Sequence, residues 1–444
     1  MRISDLDIRP LCDFGYLERV RTAIVQDFTS KPFREGHSLE QIFRGIAGIS
    51  ALLTVAVLFS HDRRLISWRP VLTGIGFNMF FAVLILRTPG GREVFEGISS
   101  VLLKILQFSG EGTRFVFGPL VDGFSRVPGY NSSSFVFVLG ALVPIIFFGA
   151  LLNMLYYLGI MPRIVRGLAW GLKRLFGLGG PEATVAASNI FVGQVQGAMT
   201  VAPYIARMTE AQLFQVMVVG MSTVGAGMPL VYAGMGARME YVLAANIMAV
   251  PAAVVFAKIL LPERYVLPAG ETLELKEYQA GVNLLDALGK GAMDGWKVVL
   301  AISIMLLAFI PMVHLLNWAI VSASGNASDL ETILGWLFTP VAYIVGVSAS
   351  DSAAFARLLG TKTAFNEVIA FGGLTAAGLS PRGFMLTCFA LTGFANFTSI
   401  AIQIGGLGEL APSRKTDVAR LGLRCVLAAT LANLLSASIA GMLF

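Results

Sequence analysis

Charge is what this chain has least of. Only 14% of its 444 residues are charged and 56% are hydrophobic, where a soluble domain carries about 25% charged residues. That shortage excludes a water-soluble globule. Cysteine is nearly absent as well. Cys12, Cys388 and Cys425 lie far apart and offer neither a disulfide framework nor metal-ligand spacing. Histidine is equally scarce, at His37, His61 and His314. Only His314 falls in an apolar run, where a hydrogen-bonded structural role is expected ahead of a proton relay. Neither HExxH nor GxSxG occurs, so hydrolysis has no motif to rest on, and the chain reads as a non-enzyme. GGLGEL at 405–410 lacks the GK[ST] ending of a phosphate loop. Residues 1–38 hold six basic and six acidic side chains with no apolar core. They read as a polar extension and not as a signal peptide.

Long apolar runs are what the sequence has instead. They fall at about 41–60, 70–88, 134–160, 211–235, 238–262, 293–322, 382–406 and 420–443; roughly 18 apolar residues suffice to span a bilayer as a helix. The segments 91–112 and 162–180 mix charge with an apolar face, the pattern of helices lying along a membrane surface. The net charge of +6 resides mostly in short loops such as HDRRLISWR (61–69) and PSRKTDVAR (412–420). The positive-inside rule places both loops in the cytoplasm, with both termini outward, and removes any need for a nucleic-acid partner. A polar loop at 261–281 divides the chain into halves.

Two apolar segments do not fit simple spans. The first, 183–208, is interrupted by NIFVGQVQG; the second, 332–372, by GVSASDSAAF at 346–355. Irregular backbone at membrane depth survives only where protein or water satisfies its amides, so each segment is expected to form a hairpin entering and leaving on one side. A span with a soft centre follows each: GMSTVGAGMPL (220–230) and LTGFANFTSI (391–400). Paired interruptions at corresponding positions of two halves point to a transporter site between repeats. Asn189, Gln194, Gln196, Glu367 and Asn396 all fall on these breaks. A carboxylate at the centre of a membrane helix costs about 2.5–3.5 kcal/mol on insertion scales. Lys362, five residues before Glu367, would lie about 140° around a continuous helix and so off its face. Glu367 is therefore expected to face a wet cavity and to accept hydrogen bonds from a polar solute, as carboxylates do from sugar hydroxyls.

TKTAFNEVIAF (361–371), LTGFANFTSIAIQIGGLGELAP (391–412) and AASNIFVGQ (186–194) together resemble the concentrative nucleoside transporter family, over a stretch from about residue 40 to the C-terminus. The resemblance implies an all-α polytopic membrane protein with about eight transmembrane helices, two re-entrant helical hairpins, interfacial amphipathic helices and an inverted repeat. It implies an elevator-type transporter assembled as a homotrimer in a bacterial cytoplasmic membrane, with a scaffold near 41–112 and 293–322 and a transport domain near 183–262 and 332–443. Its solute would be a nucleoside or nucleoside-like molecule, its coupling ion sodium or a proton, and it would need no cofactor. Glu367 matches the carboxylate that binds ribose hydroxyls. Asn396 and Ser399 match the polar pair that also reads ribose, and Phe394 an aromatic lining that pocket. Gln194 matches the glutamine that reads the base. Asn189 and the carbonyl of Val192 match a sodium site completed by Thr223 and Val224.

The departures are concentrated in the first hairpin. Where the family usually reads Thr-Glu-Ala-Pro after the glutamine, this chain has Val195, Gln196, Gly197 and Ala198. Val195 removes a hydroxyl from the base side, about 0.5–1.5 kcal/mol if that bond is made elsewhere in the family. Gln196 replaces a carboxylate by a neutral amide that both donates and accepts. Met228 stands at a pocket position that is often smaller. The expectation is a changed base preference, a changed coupling ion, or both. Two alternatives keep the same residues: a transporter of another ribosylated or polar solute, and a non-transporting nucleoside sensor.

Overall fold

The computed structural model describes residues 39–120, 138–225, 227–264, 280–325 and 330–444. The extension at 1–38 and most of the 261–281 loop lie outside the described residues. Among those described, all regular structure is helical, as the composition requires.

The first half opens with α1 (Leu39–Leu58), α2 (Trp68–Arg87) and α3 (Pro89–Phe117). Next come α4 (Pro144–Tyr157) and α5 (Ile160–Phe176), bent 79° apart where Gly159 takes the left-handed conformation at φ 71°. In α5 the residues Met161, Val165, Ala169, Leu172 and Phe176 are buried while Arg163, Arg166, Lys173 and Arg174 are exposed, the one-sided pattern expected of a surface helix. The hairpin region holds α6 (Gly180–Ser188), α7 (Gln194–Met199) and α8 (Ala202–Ile205). A broken span follows, α9 (Glu210–Ser222) and α10 (Met228–Gly234), then the continuous α11 (Met239–Leu260).

The second half begins with the long α12 (Leu284–Ala323), on which His314 is exposed with no hydrogen bond among the described residues, contrary to its expected structural role. Then come α13 (Leu330–Val345), α14 (Ala349–Ala364) and α15 (Glu367–Gly372). The broken span α16 (Pro381–Leu391) and α17 (Phe397–Leu410) precedes the continuous α18 (Lys415–Leu443).

The second hairpin is one helix shorter than the sequence suggests. GVSASDS does not form its tip: Gly346, at φ 87°, ends α13, and Ser348 begins α14. The serines and Asp351 are start signals for a helix and do not mark a break within the hairpin. The chain reverses instead at Phe365 and Asn366, where Asn366 is extended (φ −163°, ψ 168°) and its Oδ1 accepts from Ile369 N at 2.9 Å. The segment α13 is a separate helix packed on α14 and α1.

Hydrogen bonds show which ends share a face. On one face Ser60 Oγ donates to the Ile259 carbonyl at 2.6 Å and Thr209 Oγ1 to Glu263 at 2.9 Å. There too Lys258 pairs with Glu182 at 2.8 Å, the Arg414 guanidinium donates to the Met208 carbonyl, and Arg420 pairs with Glu210 at 3.2 Å. The two basic loops therefore lie together, with both ends of the first hairpin. The base of the second hairpin lies at the other ends of α1 and α18: Ser380 holds Asp351, and Arg382 donates to the carbonyls of Gly346 and Gly441. The hairpins enter from opposite faces, so the repeat is inverted. At its centre stand α11 and α18, whose apolar windows are 89% and 83% buried, against 22% and 33% for the peripheral α1 and α2.

Candidate functional site

The breaks of both repeats come together inside this bundle. In the second half Glu367 opens α15 and is buried, its Oε2 accepting from Asn396 Nδ2 at 3.0 Å and its Oε1 from the Tyr232 hydroxyl at 3.2 Å. Tyr232 comes from α10, in the other repeat, and its ring stacks on Phe371 with centroids 4.2 Å apart. Asn396 is the N-cap of α17, its Oδ1 accepting from Ser399 N at 2.8 Å. Capping leaves its Nδ2 free to reach the carboxylate, so a single amide both starts a helix and orients Glu367. Thr398 Oγ1 donates to the Phe365 carbonyl at 3.0 Å, fastening α17 to the hairpin tip, and half-buried Phe394 lies in the break beside them.

Lys362 does not pair with Glu367 through a helix face. The helical-wheel angle expected between them has no meaning here, because α14 ends at Ala364 and Asn366 restarts the chain. Wholly buried, Lys362 donates from Nζ to the Ala390 carbonyl at 2.8 Å and to Asn433 Oδ1 at 2.9 Å. The ammonium thus sits at the C-terminal, electronegative end of α16. Asn433 Nδ2 in turn donates to the Ser222 carbonyl at 2.8 Å, the end of the matching half-helix. The close approach needs Gly393, at φ 119°, where a Cβ would lie 2.5 Å from the Ser222 carbonyl oxygen.

The first half is assembled similarly and finished differently. Asn189 ends α6 fully buried, and neither its Oδ1 nor its Nδ2 has a partner among the described residues. Asn246 on α11 holds the surrounding backbone: its Oδ1 accepts from Val224 N at 2.8 Å and its Nδ2 donates to the Ile190 carbonyl at 3.2 Å. Thr223 is the buried C-cap of α9, its hydroxyl turned back to the Val219 carbonyl at 2.8 Å. A Cβ at Gly225 would lie 3.1 Å from Gly193 N and 3.6 Å from the Val192 carbonyl carbon, so the α9–α10 break abuts the hairpin tip. Gly197 is required by Asn189, whose amide would collide with any side chain there.

Gln194 begins α7, its Oε1 accepting from Gln403 Nε2 at 3.2 Å, and Met228 begins α10, buried ahead of Pro229. The backbone of Val195 and Gln196 lies in α7. Among the described residues no cluster of His, Cys, Asp and Glu is suited to a metal ion.

Comparison with known proteins agrees with this arrangement along its length. Residues 47–120 match the family described as Na+ dependent nucleoside transporter N-terminus, 138–239 the one described as nucleoside recognition gate, and 241–441 the matching C-terminus. The chain is 39% identical over 405 residues to the uncharacterized transporter YutK of Bacillus subtilis, covering 90% of this chain and 98% of that one. Against the nucleoside permease NupC of Helicobacter pylori it is 33% identical over 408 residues, covering 89% and 96%. The chain belongs to the Na+ dependent nucleoside transporter family.

The architecture of this nucleoside transporter family member is that of CNTnw. The inward-facing, substrate-bound CNTnw superposes with a TM-score of 0.84 at 36% identity, covering 90% of this chain and 99% of that one. An outward-facing variant of CNTnw gives 0.85 at 35% identity, covering 91% and 99%. The chain is a membrane transporter and not an enzyme. The structure brings Glu367, Asn396, Ser399 and Phe394 together in one half, and Asn189, Val192, Thr223 and Val224 in the other. Sequence reasoning missed Tyr232, Asn246, Gln403 and the Lys362–Asn433 pair. Asn246, Gln403 and Asn433 carried a signal, being amides in the middle of apolar helices. Tyr232 carried none, since a tyrosine in a span is ordinary.

Proposed function

We propose that this chain carries nucleosides across the bacterial cytoplasmic membrane together with sodium or a proton, by an elevator motion. The observation that carries the reading is the Glu367 carboxylate, held from two sides by Tyr232 and Asn396 at meeting helix breaks. An ionised carboxylate has about four lone-pair sites, so two remain for vicinal hydroxyls of a ribose. Asn396 and Ser399, at the start of α17, supply further partners there, and Phe394 supplies an apolar wall. Gln194 faces the base, with Val195, Gln196 and Met228 shaping that side. The cation is a co-transported substrate. Hard cations take oxygen ligands, often from unwound carbonyls and half-helix ends. The unpartnered amide of Asn189, with the backbone of Val192, Thr223 and Val224 around it, fits that chemistry.

In the proposed motion 183–262 and 332–443 move against a scaffold of 41–112 and 293–322. The inward-facing, outward-facing and intermediate structures of CNTnw support it. A homotrimer would cover part of the apolar flank of α12, where Leu307, Leu315 and Trp318 are exposed.

Proteoliposomes test the reading. Uridine or adenosine should accumulate above its external concentration under an inward sodium or proton gradient, and the accumulation should vanish when that gradient is collapsed. Uptake indifferent to both gradients would overturn it. The replacements Val195, Gln196 and Gly197 favour one second reading, transport of another ribosylated solute, which the same assay with a wider solute panel would reveal.

A further inference from the structure

We propose that Gln403 is a positioning residue that decides which edge of a nucleobase this chain reads, by locking the Gln194 amide with its NH2 group toward the solute. The inference rests on the nucleoside reading above and deepens it. Its starting point is a group whose polarity is fixed. The Met217 backbone carbonyl can only accept, and Gln403 Nε2 donates to it at 2.9 Å. Turning the Gln403 amide over would set its Oε1 against that carbonyl, two acceptors facing each other in a buried place. Its remaining Nε2 hydrogen points at Gln194, which must answer with an acceptor, and Gln194 Oε1 does so at 3.2 Å.

What remains of the Gln194 amide is therefore its NH2, which has no hydrogen bond among the described residues. A glutamine free to rotate pairs with a donor or an acceptor edge alike; one held by its oxygen turns that oxygen, with its one spare lone pair, toward Gln403 and presents its NH2 on the other side. Gln403 Oε1 is itself buried without a partner among the described residues, so the orientation of this amide is set by its two donated hydrogen bonds.

The surroundings are shaped for this pair. A Cβ at Gly220 on α9 would lie 2.9 Å from Gln194 Cβ and 3.2 Å from Gln403 Nε2, so the bare glycine leaves the room in which the two amides meet. On α17 Ser399 and Gln403 are four residues apart, on one face with about 6 Å of rise between them. Asn396 and Ser399 stand at the ribose end of that face and Gln403 one turn on, where the base follows the sugar. The ligand class selected is a nucleoside whose base offers an acceptor, a ring carbonyl or unprotonated ring nitrogen, at the edge facing α7.

Competition for uptake in proteoliposomes, using pairs that exchange a carbonyl for an amino group (uridine with cytidine, inosine with adenosine), tests the proposal. The wild-type protein should distinguish the members of at least one pair. Gln403→Met keeps volume and removes both hydrogen bonds, freeing Gln194 to rotate. It should move the KM ratio within that pair toward one by about three- to tenfold. The ratio of uridine to 2′-deoxyuridine should stay unchanged. Adding Gln403→Met to Gln194→Met should have no further effect on the base ratio, which a merely structural role would not predict. If Gln403→Met does not reach the membrane folded, Gly220→Ala displaces the same pair and should shift the same ratio. A wild type indifferent to both pairs, or a folded variant with unchanged base ratios, overturns the proposal. Absence of any nucleoside uptake by the wild type overturns the function reading instead.

Discussion

The break between α9 and α10 and the break between α16 and α17 are built from matching parts: a half-helix ending in a buried threonine, a hairpin tip against it, and a continuous span carrying a buried asparagine. They differ in what neutralises them. In the second half Lys362 brings a covalently attached cation to the end of α16, and Asn433 passes that hold on to Ser222. In the first half Ala186, at the corresponding third position from the end of its hairpin arm, brings no charge, and the Asn189 amide has no partner among the described residues. An inverted repeat thus supplies two similar sockets, one filled by its own side chain and one not. On the function proposed above, the filled half would give a carboxylate to the sugar and the other half would take the coupling ion.

Several substitutions would break or sharpen this contrast. The largest effect is expected from Lys362→Met, which leaves Asn433 Oδ1 and the Ala390 carbonyl buried without a donor. At about 1–3 kcal/mol for each unsatisfied group, thermal unfolding in detergent should show a loss of roughly 2–6 kcal/mol. A stable variant that now requires a second cation per nucleoside would instead make the second break an ion site in waiting. Next, Glu367→Gln should weaken nucleoside binding by at least about 100-fold for every base alike, because charge-assisted hydrogen bonds to two hydroxyls are lost together. Gln196→Ala should do far less, and equal small effects in direct binding measurements would place the pocket elsewhere.

Asn189→Leu keeps the branching at Cγ and removes an oxygen ligand. The half-saturation concentration of the coupling cation should rise about tenfold or more, since bonds to a charged group are worth about 1.5–3 kcal/mol. The smallest change is expected from Tyr232→Phe, which deletes one 3.2 Å hydrogen bond to Glu367 while keeping the stack on Phe371. A rise in KM of about threefold is expected, the same for ribose and 2′-deoxyribose substrates if Tyr232 acts only through the carboxylate.

Most of the fold was legible in the sequence because bilayers impose a simple rule: apolar runs of sufficient length span, and irregular backbone needs shelter. That logic located both breaks, both surface helices and the carboxylate. It misplaced the tip of the second hairpin, since the serines at 348–352 weaken a helix in composition while starting one in practice. It also set Lys362 about 140° from Glu367 on one helical wheel, an angle that presumes the continuity Asn366 removes. The missed residues share one cause. Tyr232, Asn246, Gln403 and Asn433 act on groups between about 22 and 211 positions away, and spacing along a chain says nothing about such partners.

The division of labour between the halves is tested most directly by the uridine KM of Asn189→Leu at saturating coupling cation, in sealed proteoliposomes. Excess cation refills a weakened ion site, so by linkage the KM should return to within about twofold of the wild-type value. A KM still tenfold or more above the wild-type value at saturation, roughly 1.4 kcal/mol of lost binding, would mean that Asn189 reads the nucleoside itself and that the halves are not so divided.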